Sequence, residues 1–139
     1  MKLLLPLCFI FLYFSLQAQV KTWETTTDWK LYKIQGNEAF RCPVDSLKSK
    51  ESVSLDKDSV VAFLSSATAW PKNKNSFWMG SFLISFEDKG HSLHKIDVSM
   101  YAGFLYDEQL KTYFQLTGEV KKEWMQFIND NYEKFLSHE

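Results

Sequence analysis

Apolar positions along the chain fall into one near-continuous run followed by shorter segments with a clear period. The run is Leu3 to Leu16, behind the positive start Met1-Lys2. It is shorter than the ~20 apolar residues a membrane-crossing helix needs, and it leads into Gln17-Ala18-Gln19 with a small residue at a cleavable position. Residues 1–18 therefore read as a secretory signal peptide, with cleavage after Ala18. The expectation is an exported protein, periplasmic or secreted, with no integral membrane segment once the signal is removed. Residues 19–27 are polar apart from Trp23 and read as a flexible leader. Residues 28–139 then form a single α+β domain of a size that holds one core.

Within that domain the periods name the elements. Asp28 to Gln35 concentrates Trp29, Leu31, Tyr32 and Ile34 before Gly36 and predicts a first strand. Residues 37–50, with Cys42-Pro43, show no period and read as a connecting loop. In Asp56 to Thr68 the spacing of Val60, Phe63, Leu64 and Ala67 predicts a helix. Asp56 and Asp58 stand at its start, where carboxylates satisfy free N–H groups. At the other end of the chain, Val120, Trp124, Phe127, Ile128, Asn131 and Phe135 mark the buried stripe of a long C-terminal helix reaching about Leu136.

Between the helices, Phe77 to Phe86 and Ser92 to Phe104 alternate on either side of Glu87-Asp88-Lys89-Gly90-His91. Asp-x-Gly between alternating runs predicts a hairpin, with a type I turn and Gly90 in the left-handed conformation. Counting outward from Glu87 opposite His91 pairs Ile84 with His94 and Phe82 with Ile96 on one face. On the other face it pairs Leu83 with Lys95 and Ser81 with Asp97. Tyr106 to Lys111 reads as a polar turn and Thr112 to Leu116 as a further strand. The predicted order is β-α-β-β-β-α: an antiparallel sheet of about four strands with two helices packed on one face.

Charge narrows the function classes. Lys plus Arg number 16 and Asp plus Glu 17, and no basic block exceeds Lys72-Asn73-Lys74 or Lys121-Lys122, so no nucleic-acid footprint is expected. Cys8 would leave with the signal, so Cys42 would be the lone thiol and no internal disulfide is available. With no Asn-x-Ser/Thr sequon either, a bacterial origin fits better than a disulfide-stapled eukaryotic one.

Candidate chemistry is sparse. His91 and His94 lie three apart on a strand and point to opposite faces, so they do not converge on a metal; neither a metal nor another cofactor is expected. Asp97, mid-strand with Lys95 on the same face, reads as a solvent-facing ion pair. Cys42 reads as a buried, inert thiol or else a reactive one. A hydrolase using Asp97, His94 or Cys42 is the least favoured reading, and no phosphate loop, nucleophile elbow or metalloprotease motif occurs. No catalytic residue is therefore assigned.

Aromatic residues make up 17% of the chain, and they reach both faces of the predicted hairpin. Phe77, Met79, Leu83, Leu93, Tyr101 and Tyr113 lie on the face away from the helices, which is either covered by the 37–50 loop or open to a partner. The expectation is a small exported, non-enzymatic binding protein that uses this surface in protein–protein contact, as an inhibitor, immunity-type or assembly factor would. The alternative is a small hydrophobic-ligand binder with a pocket lined by Trp78, Phe82, Ile96, Met100 and Trp124, between sheet and C-terminal helix.

Overall fold

The computed structural model of the chain describes residues 23–70, 80–99 and 103–137. Residues 1–18, expected to be a signal segment, lie outside them, as do Phe77, Trp78, Met79, Met100 and Tyr101. The fold is α+β: an antiparallel sheet with a long C-terminal helix, as the periodicity predicts, but the sheet has seven strands rather than about four. In chain order the elements are β1 (Thr27–Tyr32), α1 (Gly36–Arg41), a 3-10 segment (Val44–Ser49), β2 (Ser52–Ser54), α2 (Lys57–Ser66) and β3 (Thr68–Trp70). They continue with β4 (Gly80–Glu87), β5 (Leu93–Ser99), β6 (Phe104–Asp107), β7 (Thr112–Gln115) and α3 (Gly118–Leu136). The spatial order is β2-β1-β4-β5-β6-β7-β3, and every neighbouring pair is antiparallel.

The extra strands have physical reasons. β2 and β3 are three residues each, too short to carry an alternation, and they close the two edges of the sheet. β6 is hidden because the alternation in the sequence continues from Ser92 to Phe104, whereas β5 ends at Ser99 and β6, starting at Phe104, runs antiparallel to it. Gly103 makes the return possible. Its φ is +67°, and a Cβ there would meet the Leu116 carbonyl oxygen at 2.4 Å.

The hairpin forms, but its register is displaced by two residues. Ile84 faces Ile96, Phe82 faces Val98, Leu83 faces Asp97 and Ser85 faces Lys95. A two-residue displacement leaves every side chain on its expected face, so the hydrophobic pattern cannot detect it. The turn decides instead. The Asp88 carboxylate accepts from the N–H groups of Gly90 at 2.8 Å and Ser92 at 3.0 Å, and the Asp88 and Ser92 backbones pair directly. The left-handed position therefore falls on His91, with φ +60°, and not on Gly90.

The main core lies between the sheet and helices α2 and α3. Val60 and Leu64 of α2 and Trp124, Ile128 and Phe135 of α3 meet Leu31, Phe82, Ile84, Phe86, Ile96, Val98, Leu105 and Phe114. Asp56 caps α2 by accepting from Ser59 N–H at 2.9 Å. In the stretch assigned by composition to a flexible leader, Trp23 and Thr26 are buried in the fold. Trp23 is buried edge-on against Phe114, and Thr26 accepts from the Trp29 indole at 2.9 Å while donating to the Trp23 carbonyl. An isolated tryptophan in a polar stretch is an anchor here, because burying so large a side chain outweighs ordering the few residues around it. No helix among the described residues is long and apolar enough to cross a membrane.

The opposite face of the sheet carries a second, smaller cluster: Tyr32, Ile34 and Leu83 beneath Ala39, Cys42 and Leu47 of α1 and the 3-10 segment, with Leu93 at its margin. Residues 37–50 therefore do cover the outer face, the first of the two alternatives open from sequence. The turn assignment has a direct test. His91→Gly should stabilise the fold by roughly 0.5–1 kcal/mol, since glycine alone adopts the left-handed backbone without steric cost. Chemical denaturation reads this, and a destabilised His91→Gly chain would show that the left-handed residue lies elsewhere in the turn.

Candidate functional site

Two cross-strand rows place charge in this second face. One runs Leu83–Asp97–Tyr106–Tyr113 through the registers of β4, β5, β6 and β7. The next runs Ser85–Lys95–Glu108, with the Glu108 N–H donating to the Lys95 carbonyl at 3.3 Å. Strand alternation thus sets Lys95 and Asp97 on one face two residues apart, and the sheet brings Glu108 alongside.

The Lys95 ammonium is the hub. It donates to the Cys42 carbonyl at 2.9 Å, and lies 3.5 Å from Glu108 Oε2 and 3.7 Å from Asp97 Oδ1. The side chains of Lys95 and Asp97 are 4% and 2% exposed, whereas that of Glu108 is 38% exposed. The pair expected to face solvent is therefore buried. The expectation failed because the apolar residues flanking it, Leu83 and Leu93, belong to a covered face, and a charge among them is buried with them. Neither Asp97 Oδ1 nor Glu108 Oε2 has a hydrogen-bond partner among the described residues, so Lys95 holds them by charge.

Burial pushes the Asp97 carboxyl up to about 7, with the Glu108 charge adding to the rise and Lys95 opposing it. Tyr106 and Tyr113 lie beside it with ring centroids 4.6 Å apart and planes tilted by 38°. Burial raises both phenols above their ordinary value; repulsion from Glu108, Asp97 and Asp107 adds to this at Tyr106, and Tyr106 and Asp97 add to it at Tyr113. Both phenols are therefore neutral groups at physiological pH. At the end of the sheet the row opens into a pocket of about 240 Å³, lined among others by Val44, Leu93, His94, Lys95, Glu108 and Lys111.

The remaining candidates are dispersed. His94 bonds Asp88 at 2.8 Å and lies against the Phe86 ring, so it is tied to the turn. That contact, first, and the Ser92 N–H hold the Asp88 carboxyl below its usual range. His91 is exposed, 3.6 Å from Glu87. The buried Cys42 thiol is 3.1 Å from Ser46 Oγ. The Asp97 carboxylate, the His94 ring and the Cys42 thiol thus have different side-chain partners among the described residues and do not pair as a nucleophile with its base. Among the described residues, no three of His, Cys, Asp and Glu are grouped to hold a metal ion.

Of the surface predicted for a partner, Leu83 is fully buried under α1 and is core, a correction to its expected exposure. Leu93 and Tyr113 stay half-buried. Of the predicted ligand pocket, Phe82, Ile96 and Trp124 are buried side chains of the main core, where they are packed with Leu105 and Ile128. Glu108, Tyr106 and the Cys42 carbonyl were not singled out from sequence. A Lys-x-Asp pair inside an otherwise apolar strand was the available signal, since buried charges require partners. Comparison with family models, with curated proteins and with solved structures finds no match to this chain.

The Asp97 environment predicts a pH dependence of stability. Its folded value, about 7, lies above the unfolded one, so its favourable contribution is complete below pH 4 and is lost as pH rises through 7. Relative to wild type, Asp97→Asn should gain on the order of a few kcal/mol between pH 4 and pH 8, the neutral amide escaping the ionisation. Urea unfolding of both chains across that range reads the difference. A wild-type to Asn difference that does not change with pH would place Asp97 in a solvated setting.

Proposed function

We propose that this chain is a small exported binding protein that acts by protein–protein contact and not by catalysis, in the manner of an inhibitor, immunity-type or assembly factor. The observation that carries the reading is the Tyr106–Tyr113 pair. These rings pack against each other, tilted by 38° with centroids 4.6 Å apart, and stay half-buried on a sheet face that is otherwise closed over Leu83, Asp97 and Lys95. Paired tyrosines offer rigid contact area with a neutral hydroxyl at the tip, a chemistry favoured at interface centres. Leu93 and the charged mouth of the adjoining pocket supply a mixed apolar and polar rim. The dispersal of His94, Asp97 and Cys42 supports binding over hydrolysis, and the Leu3–Leu16 run ahead of Ala18 supports export.

A photo-crosslinking residue at position 113, expressed in the native host, should link to one discrete partner, and Tyr106→Asp should abolish the link. The same probe at exposed Glu133 on α3 should give none. Equal cross-linking from both positions, or none from 113, would overturn the assignment of this face. Export is checked separately by sequencing the amino terminus of the protein recovered outside the cytoplasm. The expected new terminus is Gln19, and a chain that keeps Met1 contradicts the signal reading.

A further inference from the structure

We propose that residues 36–49 form a lid that opens from the sheet as a unit, and that the Lys95 ammonium is its latch. The inference stands on geometry and is independent of the identity of any partner. The lid is built to move separately from the main core. Among the described side chains, its buried apolar residues Ala39, Cys42 and Leu47 belong to the small cluster on the outer face, whereas α2 and α3 pack on the other side of the sheet. Lifting it would expose Tyr32, Ile34 and Leu83 while leaving the larger core closed.

Its backbone bonds are local. Cys42 N–H donates to the Ala39 carbonyl, Ser46 to Pro43 and Lys50 to Leu47, and the exposed Lys50–Glu38 pair at 3.4 Å also stays within residues 36–50. At its base, Lys33 N–H donates to the Glu51 carbonyl at 3.0 Å, holding the two ends together as a hinge would. Gly36 opens the segment at φ +63°, with nothing within 4 Å of where a Cβ would stand. Glycine holds this left-handed conformation without steric cost and is the residue with the widest choice of dihedrals at the start of the segment.

The latch crosses the layers. From the sheet, Lys95 Nζ reaches the carbonyl of Cys42, where α1 ends, and the two carboxylates at 3.5 and 3.7 Å keep the ammonium in place. Lys95 also lines the open pocket beside Val44 of the lid, so solvent can replace the Cys42 carbonyl as its partner when the lid lifts. An ammonium that bonds the lid when closed and is hydrated when open makes the two states close in energy.

Cys42 is a built-in reporter, buried when the lid is closed. In the full chain carrying Cys8→Ala, thiol labelling by an aromatic disulfide reagent at fixed pH is followed at denaturant concentrations below the unfolding transition. The expected rate is nearly independent of denaturant and well above the rate global unfolding allows. Asp97→Asn alone keeps the Lys95 bond to the Cys42 carbonyl and sets the reference rate, and Lys95→Met with Asp97→Asn should label at least tenfold faster than that reference. The combined change removes the donor to the Cys42 carbonyl and the ion pair of the half-exposed Glu108, without leaving a charged Asp97 behind. Labelling that tracks global unfolding would overturn the lid, and equal rates in the single and double variants would overturn the latch. If the double variant fails to fold, the wild-type denaturant profile still decides whether the lid opens alone.

Discussion

Everything in this fold depends on β4 being buried on both sides. Phe82, Ile84 and Phe86 point into the core beneath α2 and α3, while Leu83 and Ser85 point the other way and are equally shielded. A central strand with this composition requires cover on two faces, and the chain has long helices for one of them only. The second cover is made from α1 and the 3-10 segment, which supply few apolar side chains. It is completed by polar contacts: the Tyr32 hydroxyl with Ser85 at 2.8 Å, and Lys95 with the Cys42 carbonyl. The asymmetry between a thick core and a thin one explains why the buried charges gather where they do.

Charge in the thin layer has two effects. Lys95 ties the cover to the sheet, but only by drawing Asp97 and Glu108 into a region where carboxylates are poorly solvated. Asp97 answers by holding its proton up to about pH 7. The same row delivers Tyr106 and Tyr113 to the edge of the covered zone, and Glu108, two residues beyond Tyr106, lines an outer-face pocket with Lys95, so the candidate interface and the charged hub are consecutive parts of a single structure.

Much of the main core was legible in the sequence. The stripes Val60–Leu64–Ala67 and Trp124–Ile128–Asn131–Phe135 repeat over several turns, and both helices occur where those stripes place them. The outer layer was not legible, because each of its parts carries too short a signal. Residues 36–50 have no period, β2 and β3 have three residues each, and the β5–β6 reversal is concealed by continuous alternation from Val98 to Phe104. The two-residue register displacement follows the same rule, since it keeps every side chain on its face and is set by hydrogen bonds to Asp88. The Lys95–Asp97 pair was seen, but its burial depends on a cover that no local pattern announces.

The central claim, that the outer face of β4 is a second core closed by residues 36–50, is tested most directly by methyl NOE spectroscopy of the folded chain. The account predicts strong NOEs from the Leu83 methyl groups to Ala39 and Leu47, with Leu83 protected from a paramagnetic probe in solvent. Leu83 methyl groups that lack those NOEs and are broadened by the probe would show an open sheet face and contradict it.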